Sequence, residues 1–237
     1  MNIFIGFDSS NYGQVLAHAV CKRSIEKINK NIKINTLVKR ELEIKNIYKR
    51  IDNTGATEFT YTRFLVPYLC GYKGWALFCD SDFLWLKDPT EIIQEYDKNI
   101  AVYCVQHNYT QCNGKLKMDG QQQEWYPRKN WSSLMLFNCE HPNVKLNLTP
   151  ENVNTKPPSW LHRMEWCNDN MIGVINKKYN YLVDYYNDMD INEIGALHFT
   201  DGGPWHPLYK NVTFGNLWLE YLTEEEKHKL IVDHGSA

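Results

Sequence analysis

Three short strand-like segments in the first eighty residues restrict the possible fold most strongly, two of them apolar runs and the middle one an alternation of apolar and polar residues. They lie at residues 2–7, 32–38 and 75–79, and the third reads Trp-Ala-Leu-Phe-Cys with no charged residue. Short runs of this composition are typical of strands, and an uninterrupted one indicates a strand that is covered on both faces. Similar runs predict three further strands, at residues 100–105, 132–138 and 195–200.

Helical patterns alternate with these strands. Asn11 can cap a helix, and the apolar face of that helix is predicted to consist of Val15, Leu16, Ala19 and Val20. Residues 57–69 predict a second helix, interrupted near Pro67. Strands that alternate with helices indicate an α/β fold whose sheet is mainly parallel at its start. Ligands in such folds bind beyond the carboxyl ends of the strands.

Two carboxylates stand at such a strand end. Asp80 and Asp82 follow the run at 75–79 directly and are followed by the apolar residues 83–85. Carboxylates in apolar surroundings need a cation or hydrogen-bond donors. Two hard oxygen ligands suit Mg²⁺ or Mn²⁺, ions that also bind phosphate oxygens. The sequence therefore favours a metal site here, and a capping or turn role is the alternative.

A second acidic pair serves as a contrast. Asp188 and Asp190 lie in the polar segment Tyr-Tyr-Asn-Asp-Met-Asp. Water can hydrate both carboxylates there, so we interpret this copy as a solvated turn without a ligand.

A late loop at residues 197–210 forms another candidate site. His198 ends a predicted strand, and Gly202 and Gly203 would let the backbone approach a ligand closely. Trp205 and His206 follow. A buried structural histidine and a tight turn beneath a tryptophan remain the alternatives.

Composition excludes several functional classes. The net charge of −2 argues against a nucleic-acid-binding protein. A run of eighteen apolar residues is absent, so we expect no transmembrane segment, and the first residues lack the features of a secretory signal. Seven cysteines without a Cys-x-x-Cys pair favour reduced thiols, as in a cytoplasmic protein.

Taken in order, these segments resemble glycosyltransferase family eight, the group of glycogenin and the bacterial lipopolysaccharide galactosyltransferases. The opening Ile-Gly-Phe-Asp-Ser-Ser-Asn-Tyr is similar to the loop that holds uracil and ribose, which implies nucleotide contacts at Gly6, Phe7 and Asp8. Thr-Tyr-Thr-Arg at 60–63 resembles the family's Tyr-x-Arg, whose arginine approaches the donor, and so implicates Arg63.

The same resemblance assigns a ligand set. It implies that Asp80, Asp82 and His198 bind the ion and that Ser81 lies near the nucleotide. Residues 129–138 resemble a further family segment, in which Ser132 is a candidate nucleotide contact.

The sequence departs from the family pattern at three points. Trp131 and Ser133 stand where Asn and Gly are usual. The family's Asp-Gln-Asp is Cys-Asn-Asp at 167–169, so Asp169, with Asn168 beside it, is left as the candidate catalytic carboxylate that holds the sugar or stabilises the oxocarbenium. Gly203 stands where a lysine is usual, and the diphosphate contact passes to one of three candidates, namely Arg63, His206 or Lys210.

The resemblance implies a GT-A fold, a single Rossmann-like α/β domain with a mixed central sheet. Its nucleotide-binding half would span residues 1–106 and its acceptor-binding half residues 107–237, with the polar connections 107–130 and 149–168 framing the acceptor. The implied activity is transfer of a hexose from a UDP-sugar to an acceptor hydroxyl with retention, using Mn²⁺ or Mg²⁺. The sugar, the acceptor (glycan, protein or lipid) and the oligomeric state stay open.

Two other functions are compatible with parts of the pattern. A sugar-nucleotidyltransferase shares a similar sheet and acidic site, although the Gly-Gly-x-Gly-x-Arg/Lys loop is absent after the first strand. A non-catalytic carbohydrate-binding protein would explain the 14% aromatic residues but needs no metal.

Overall fold

A computed structural model describes residues 1–51, 55–93, 95–108 and 127–235 of the chain. Within these ranges nine strands form two sheets. The strands are β1 Asn2–Phe7, β2 Lys33–Val38, β3 Trp75–Cys79, β4 Phe83–Trp85, β5 Val102–Cys104, β6 Leu134–Asn138, β7 Ile172–Val174, β8 Tyr181–Leu182 and β9 Ala196–His198.

Eight α-helices and several 3₁₀ turns connect the strands of the described ranges. The helices are α1 Tyr12–Ile28, α2 Lys39–Ile44, α3 Val66–Leu69, α4 Pro142–Asn147, α5 Pro150–Thr155, α6 Pro158–His162, α7 Gly215–Leu219 and α8 Glu224–Gly235. The 3₁₀ turns are Thr62–Leu65, Pro89–Glu91, Trp131–Ser133, Asp169–Met171, Lys177–Asn180 and Pro207–Tyr209.

The larger sheet has six strands in the order β2-β1-β3-β6-β5-β7. β1 runs parallel to both β2 and β3, whereas β6 is antiparallel to its neighbours β3 and β5. This is the mixed α/β sheet that the sequence predicts, parallel at its start. Because β1 and β3 are parallel, their carboxyl ends meet at one edge of the sheet, which carries Asp8 and Asp80.

Alternation along the strands divides the core between the two faces of this sheet. Phe4, Phe78 and Phe137 lie in one buried cluster, and the neighbouring Ile3 and Leu77 lie in another. The second cluster also contains Cys21 and Ile25 of α1. Both faces are therefore covered, as expected from continuous apolar strands.

The smaller sheet has the order β4-β9-β8 and lies directly after the acidic pair in the chain. β4 and β9 are antiparallel, with Phe83 opposite His198. The backbone N–H of Phe199 donates to the Asp82 carbonyl over 3.0 Å. Residues 80–82 are therefore a short link between the two sheets, and β9 brings His198 to that link.

The six strands predicted from apolar runs are confirmed, with some shorter ends. Asn11 caps α1, since its side chain accepts from the Gln14 N–H over 3.0 Å. The predicted apolar face is only half right, because Leu16 and Val20 are buried whereas Val15 and Ala19 are partly exposed.

The predicted helix at 57–69 is confirmed only in its second half, where the 3₁₀ turn Thr62–Leu65 leads directly into α3. Residues 57–61 form turns, held in part by hydrogen bonds between Thr57 and Thr60, and only one α-helical turn follows at Val66–Leu69. Pro67 has no N–H to donate to the carbonyl four residues earlier, and it is accommodated in the first turn of α3, where no such donor is needed.

Two expectations about the chain as a whole can be compared with the described residues. Their helices include none that combines the length and the apolar character needed to cross a membrane. The six cysteines in these ranges are free thiols, in agreement with the prediction of reduced cysteines. Of the predicted acceptor-framing connection 107–130, residues 109–126 lie outside the described residues.

Candidate metal centre

Asp80, Asp82 and His198 come together at the link between the two sheets. One carboxylate oxygen from each aspartate and one imidazole nitrogen lie within 4.8 Å of one another. The aspartate side chains are 16% and 23% exposed, whereas His198 is 1% exposed. The structure thus assembles the three side chains that the resemblance assigns to a metal ion, in a group that could bind a divalent cation.

Arg63 supports the first of these carboxylates. Its Nη1 lies 2.9 Å from Asp80 Oδ1 and also donates to the Ser132 carbonyl over 2.8 Å. The guanidinium is packed over the rings of Phe59 and Phe78, at 5.3 and 5.0 Å from the centroids. A buried guanidinium therefore holds the Asp80 carboxylate in place.

The second carboxylate faces His198. Asp82 Oδ1 lies 3.3 Å from His198 Nε2, and the other ring nitrogen of His198 lies 2.8 Å from Asn180 Oδ1. An amide oxygen can only accept, so Nδ1 carries a proton, and in a neutral imidazole Nε2 then presents a lone pair to Asp82. Two electron-rich atoms at this distance fit a shared cation.

The donor set fits a hard or borderline divalent metal ion. Two carboxylates and one imidazole are ligands used by Mn²⁺, and carboxylates also suit Mg²⁺. The buried Oγ of Ser81, between the two aspartates, has no hydrogen-bond partner among the described residues. An unpaired buried hydroxyl at this point is consistent with a ligand that it contacts when the site is filled.

The first loop holds Asp8 firmly. Asp8 is 3% exposed, and its carboxylate accepts from the N–H groups of Ser10, at 2.8 Å, and Glu58, at 3.3 Å. Gly6 is explained by packing, since a Cβ there would lie 2.5 Å from the Phe59 ring. The resemblance assigns these two residues to the nucleotide, and the structure places them at the sheet edge that carries the metal centre.

Phe7 and the neighbouring ring of His18 lie at the same edge of the sheet. The Phe7 ring contacts His18 edge-on, at 5.1 Å between centroids. Burial, with a smaller effect of Lys22, lowers the pKa of His18 to about 4, so this histidine is neutral at physiological pH. Phe7 is half-buried and keeps part of its surface for another contact.

The late loop folds beneath its own aromatic residues. A Cβ on Gly203 would lie 2.0 Å from the Trp205 ring, and one on Gly202 would lie 2.5 Å from the Tyr209 ring. Gly202 also has φ of +145°, a backbone conformation that L side chains rarely adopt, and its N–H donates to the Phe199 carbonyl over 2.9 Å. Packing alone thus accounts for both glycines.

His206 and Lys210 flank this loop. His206 caps the turn Pro207–Tyr209, because its Nδ1 accepts from the Leu208 N–H over 3.3 Å. Lys210 is exposed. Each remains available as a sequence-based candidate for the diphosphate contact, whereas Arg63 is already engaged with Asp80.

Ser132 and the segment around it lie beneath the metal centre. Ser132 is 6% exposed, and its Oγ lies 2.8 Å from His162 Nδ1. Burial, followed by the charges of Arg63 and Arg50, lowers the pKa of His162 to about 3. Ser132 therefore contacts a neutral imidazole and, through its carbonyl, Arg63.

Asp169 and Asn168 lie further out. Both are exposed, and Asp169 Oδ1 accepts from Arg128 Nη2 over 2.6 Å. The Arg128 guanidinium lies 5.3 Å from the Trp131 ring centroid. This arginine connects Asp169 to the turn Trp131–Ser133, and the structure does not bring Asp169 into the three-residue metal group.

The second acidic pair is exposed, as the sequence predicts. Asp188 and Asp190 lie in turns at the surface, and Asp188 forms an ion pair with Lys177. The hydrogen bond from Lys177 lowers the pKa of Asp188.

Sequence reasoning did not identify Asn180 and Ser133 as site residues. Asn180 is fully buried and donates from Nδ2 to Ser133 Oγ over 2.9 Å. The Ser133 carbonyl also accepts from the Asp80 N–H over 2.9 Å. The only signal in the sequence was Ser133 itself, which stands where the resembled family usually has glycine.

The chain is similar in sequence to Protein CDI of Arabidopsis thaliana. The two are 40% identical over 230 residues, which cover 95% of this chain and 87% of the other. A search against protein-family models gives no match.

Several solved structures share the fold. The apo structure of the bifunctional glycosyltransferase WbbM matches 99% of this chain with a TM-score of 0.65 at 14% identity, and the chain spans 51% of that structure's length. Galactosyltransferase LgtC, in complex with donor and acceptor sugar analogs, matches 97% of this chain and 100% of its own with a TM-score of 0.54 at 12% identity.

A third structure agrees with these two. The glycosyltransferase GlyE of Streptococcus pneumoniae TIGR4 matches 97% of this chain and 62% of its own, with a TM-score of 0.57 at 13% identity. The fold is therefore that of the GT-A glycosyltransferases, as the resemblance implied. At these identities the comparison establishes the fold and leaves the reaction to be argued from the site.

Proposed function

The chain belongs to the same family as Protein CDI of Arabidopsis thaliana, and we propose that it is a metal-dependent glycosyltransferase. The proposed reaction is that of glycosyltransferase family eight, transfer of a hexose from a UDP-sugar to an acceptor hydroxyl with retention of anomeric configuration. The proposed ion is Mn²⁺, with Mg²⁺ as the alternative.

One observation supports this function above the others. Asp80, Asp82 and His198 converge within 4.8 Å at the carboxyl edge of parallel strands, in a fold shared with glycosyltransferases. Nucleotide ligands bind at this edge in α/β sheets. A group of hard ligands there suits an ion that binds the phosphates of the donor.

Different residues of the chain would then contact different parts of the nucleotide donor. When bound, the metal would act as a Lewis acid that neutralises charge growing on the diphosphate leaving group. Asp8 would contact the uracil, with Gly6 and Phe7 beside it, and Ser81 and Ser132 would lie against the ribose or phosphates. Arg63 would hold Asp80 rather than the donor.

The late loop would serve the diphosphate. Amides of Gly202 and Gly203 could donate hydrogen bonds that strengthen as charge develops. The Gly202 N–H is engaged by the Phe199 carbonyl, so its use requires this loop to change shape on binding. His206 or Lys210 would supply the cation that stands elsewhere in the resembled family.

The sugar would be handled by Asp169 and Asn168. A carboxylate can accept hydrogen bonds from sugar hydroxyls and stabilise positive charge at the anomeric carbon. Asp169 is paired with Arg128, and it must exchange this partner to contact a donor.

We assign nucleotide binding to residues 1–106, acceptor binding to residues 107–237, and a cytoplasmic location to the protein.

A donor screen tests the proposal. Purified protein is incubated with UDP-, GDP- and TDP-sugars and Mn²⁺, and diphosphate release is followed with and without chelator. We expect turnover with a UDP-hexose that chelation abolishes. Asp82→Asn should lower turnover about a thousandfold, equivalent to ~4 kcal/mol of transition-state stabilisation.

The second acidic pair offers a matched control. Asp188→Asn makes the same chemical change in an Asp-x-Asp sequence at the surface and should keep wild-type turnover. Pyrophosphate release from a nucleoside triphosphate would instead identify a sugar-nucleotidyltransferase. Glycan binding without turnover of any donor would identify a carbohydrate-binding protein.

A further inference from the structure

The geometry points to a hydrogen-bonded relay, formed by Ser133 and Asn180, that fixes which ring nitrogen of His198 faces the metal centre. We infer that Asn180 is a positioning residue for this ligand. The inference rests on the proposed function only for the identity of the ion. Nothing in the sequence pattern or in the comparisons assigns a role to either residue.

The direction of the relay follows from its first acceptor. Ser133 Oγ donates to the Asn130 carbonyl over 2.6 Å, and a carbonyl oxygen can only accept. Ser133 Oγ must therefore accept from Asn180 Nδ2, at 2.9 Å, which turns Asn180 Oδ1 toward His198. At 2.8 Å from this oxygen, His198 Nδ1 is the donor. Each hydrogen bond in the relay therefore has only one possible donor.

Packing fixes the plane of the same imidazole. The rings of Phe83 and His198 are stacked at 4.4 Å between centroids and 20° between planes. These two residues also face each other across β4 and β9. Stacking sets the plane of the ring, and the relay sets which of its nitrogens points to Asp82.

Burial makes the loss of any hydrogen bond in the relay costly. Asn180 is 0% exposed, Ser133 3% and His198 1%, so water cannot replace a lost partner without rearrangement. A buried amide has to satisfy both its donor and its acceptor. In the neutral imidazole the relay leaves the lone pair on Nε2, the nitrogen that faces Asp82 Oδ1, a form of pre-organisation found where histidines bind metals.

The tautomer can be measured without metal and without activity. Histidine-¹⁵N-labelled protein, free of metal, is examined at pH 8 by long-range proton–nitrogen correlation, with His198→Gln used to assign the signal. We expect the Nδ1–H tautomer of His198 in the wild type. We expect the Nε2–H tautomer in Asn180→Leu, because Asp82 then offers the remaining acceptor. An Nε2–H tautomer in the wild type would overturn the relay.

Metal affinity supplies the second measurement. Mn²⁺ is titrated by electron paramagnetic resonance in the absence of any sugar nucleotide. Loss of such an outer partner typically costs 10- to 100-fold in metal affinity, and we expect a rise in Kd of this size for Asn180→Leu. Asn180→Asp keeps an oxygen that accepts from Nδ1 and should recover most of the loss. Should Asn180→Leu fail to fold, the Mn²⁺ affinity of Ser133→Ala and the tautomer of His198 in the wild type provide the test instead.

Asn138 provides the matched control. It is also a buried asparagine, 5% exposed, and its Nδ2 donates to the carbonyls of Lys98 and Ile100, away from the metal group. Asn138→Leu should lose stability and keep the Mn²⁺ affinity of the wild type. Equal Mn²⁺ affinity in wild type and Asn180→Leu would refute the relay and leave the proposed metal centre in place. A wild type that binds no Mn²⁺ refutes the metal centre of the proposed function.

Discussion

Replacing Arg63 with methionine removes the buried cation that holds Asp80. Methionine is long enough to pack between Phe59 and Phe78, where the guanidinium now lies, but it has no donor. Asp80 Oδ1 and the Ser132 carbonyl lose partners at 2.9 and 2.8 Å. The substitution therefore changes charge and hydrogen bonding more than volume.

The magnitude follows from the burial of the two partners. The side chain of Arg63 is 7% exposed and that of Asp80 is 16% exposed, so the carboxylate loses this cation at a place where little water can replace it. Removing one partner of a buried ion pair typically costs about 3–5 kcal/mol. We expect the free energy of unfolding of Arg63→Met to fall by this amount.

The reverse substitution should behave differently. Asp80→Asn keeps an amide oxygen that can lie next to Arg63 Nη1, and it relieves the repulsion between Asp80 and the nearby Asp82. We expect Asp80→Asn to cost less than Arg63→Met, because Arg63 keeps its hydrogen bonds to the Phe59 and Ser132 carbonyls and its packing over two aromatic rings. Arg63 is thus expected to matter for stability, and Asp80 for function.

Urea denaturation, followed by tryptophan fluorescence, measures both variants against the wild type. The double variant Arg63→Met/Asp80→Asn should recover much of the loss caused by Arg63→Met alone, because the negative charge that Arg63 balances is then removed as well. A loss below about 1 kcal/mol for Arg63→Met would refute the reasoning. So would a double variant no more stable than Arg63→Met.

Three further predictions concern other regions. Asp169→Asn should lower transfer at least tenfold, about 1.4 kcal/mol, while calorimetry with UDP and Mn²⁺ gives an affinity within about threefold of the wild type; lost UDP binding would contradict a role at the sugar. The hydrogen bond from Arg23 lowers the pKa of Glu226 to about 2 from 4.5, so the contribution of this pair to the free energy of unfolding, about 1 kcal/mol, is present above pH 4.5 and lost toward pH 2. The urea midpoints of wild type and Glu226→Gln should therefore differ at pH 7 and converge at low pH. A difference that stays constant with pH would contradict this. Gly195→Ala places a Cβ 2.3 Å from the buried Tyr179 ring and should cost about 1–3 kcal/mol in a thermal melt, whereas an unchanged melting temperature would show that the ring moves freely.

Strands built from continuous apolar runs were predictable from the sequence. β1 and β3 carry this signal, since five or six consecutive residues are suited to a covered sheet, and the edge strand β2 carries another, the alternation of apolar and polar residues. β4, β7 and β8 have only two or three residues and were not predicted. Such short strands are defined by their pairing with neighbours, which local sequence does not reveal.

The candidate site was predictable to different depths. The setting of Asp80 and Asp82 at a strand end indicated a metal before any family was considered. His198 was assigned by resemblance, and Asn180 was not found at all. Asn180 contacts Ser133, which is 47 residues away in the chain, and a buried polar contact of this kind depends on how the two sheets pack.

The pairing of β4 with β9 would couple binding of the proposed ion to local unfolding of the smaller sheet. These strands have three residues each, so opening of β9 breaks few hydrogen bonds and also separates His198 from Asp82. An ion held by both residues would have to leave first. Amide hydrogens of residues 196–198 would therefore exchange more slowly by a factor of one plus the ratio of free metal to its Kd. Hydrogen exchange at this small sheet becomes a direct gauge of ion occupancy, independent of any sugar or acceptor.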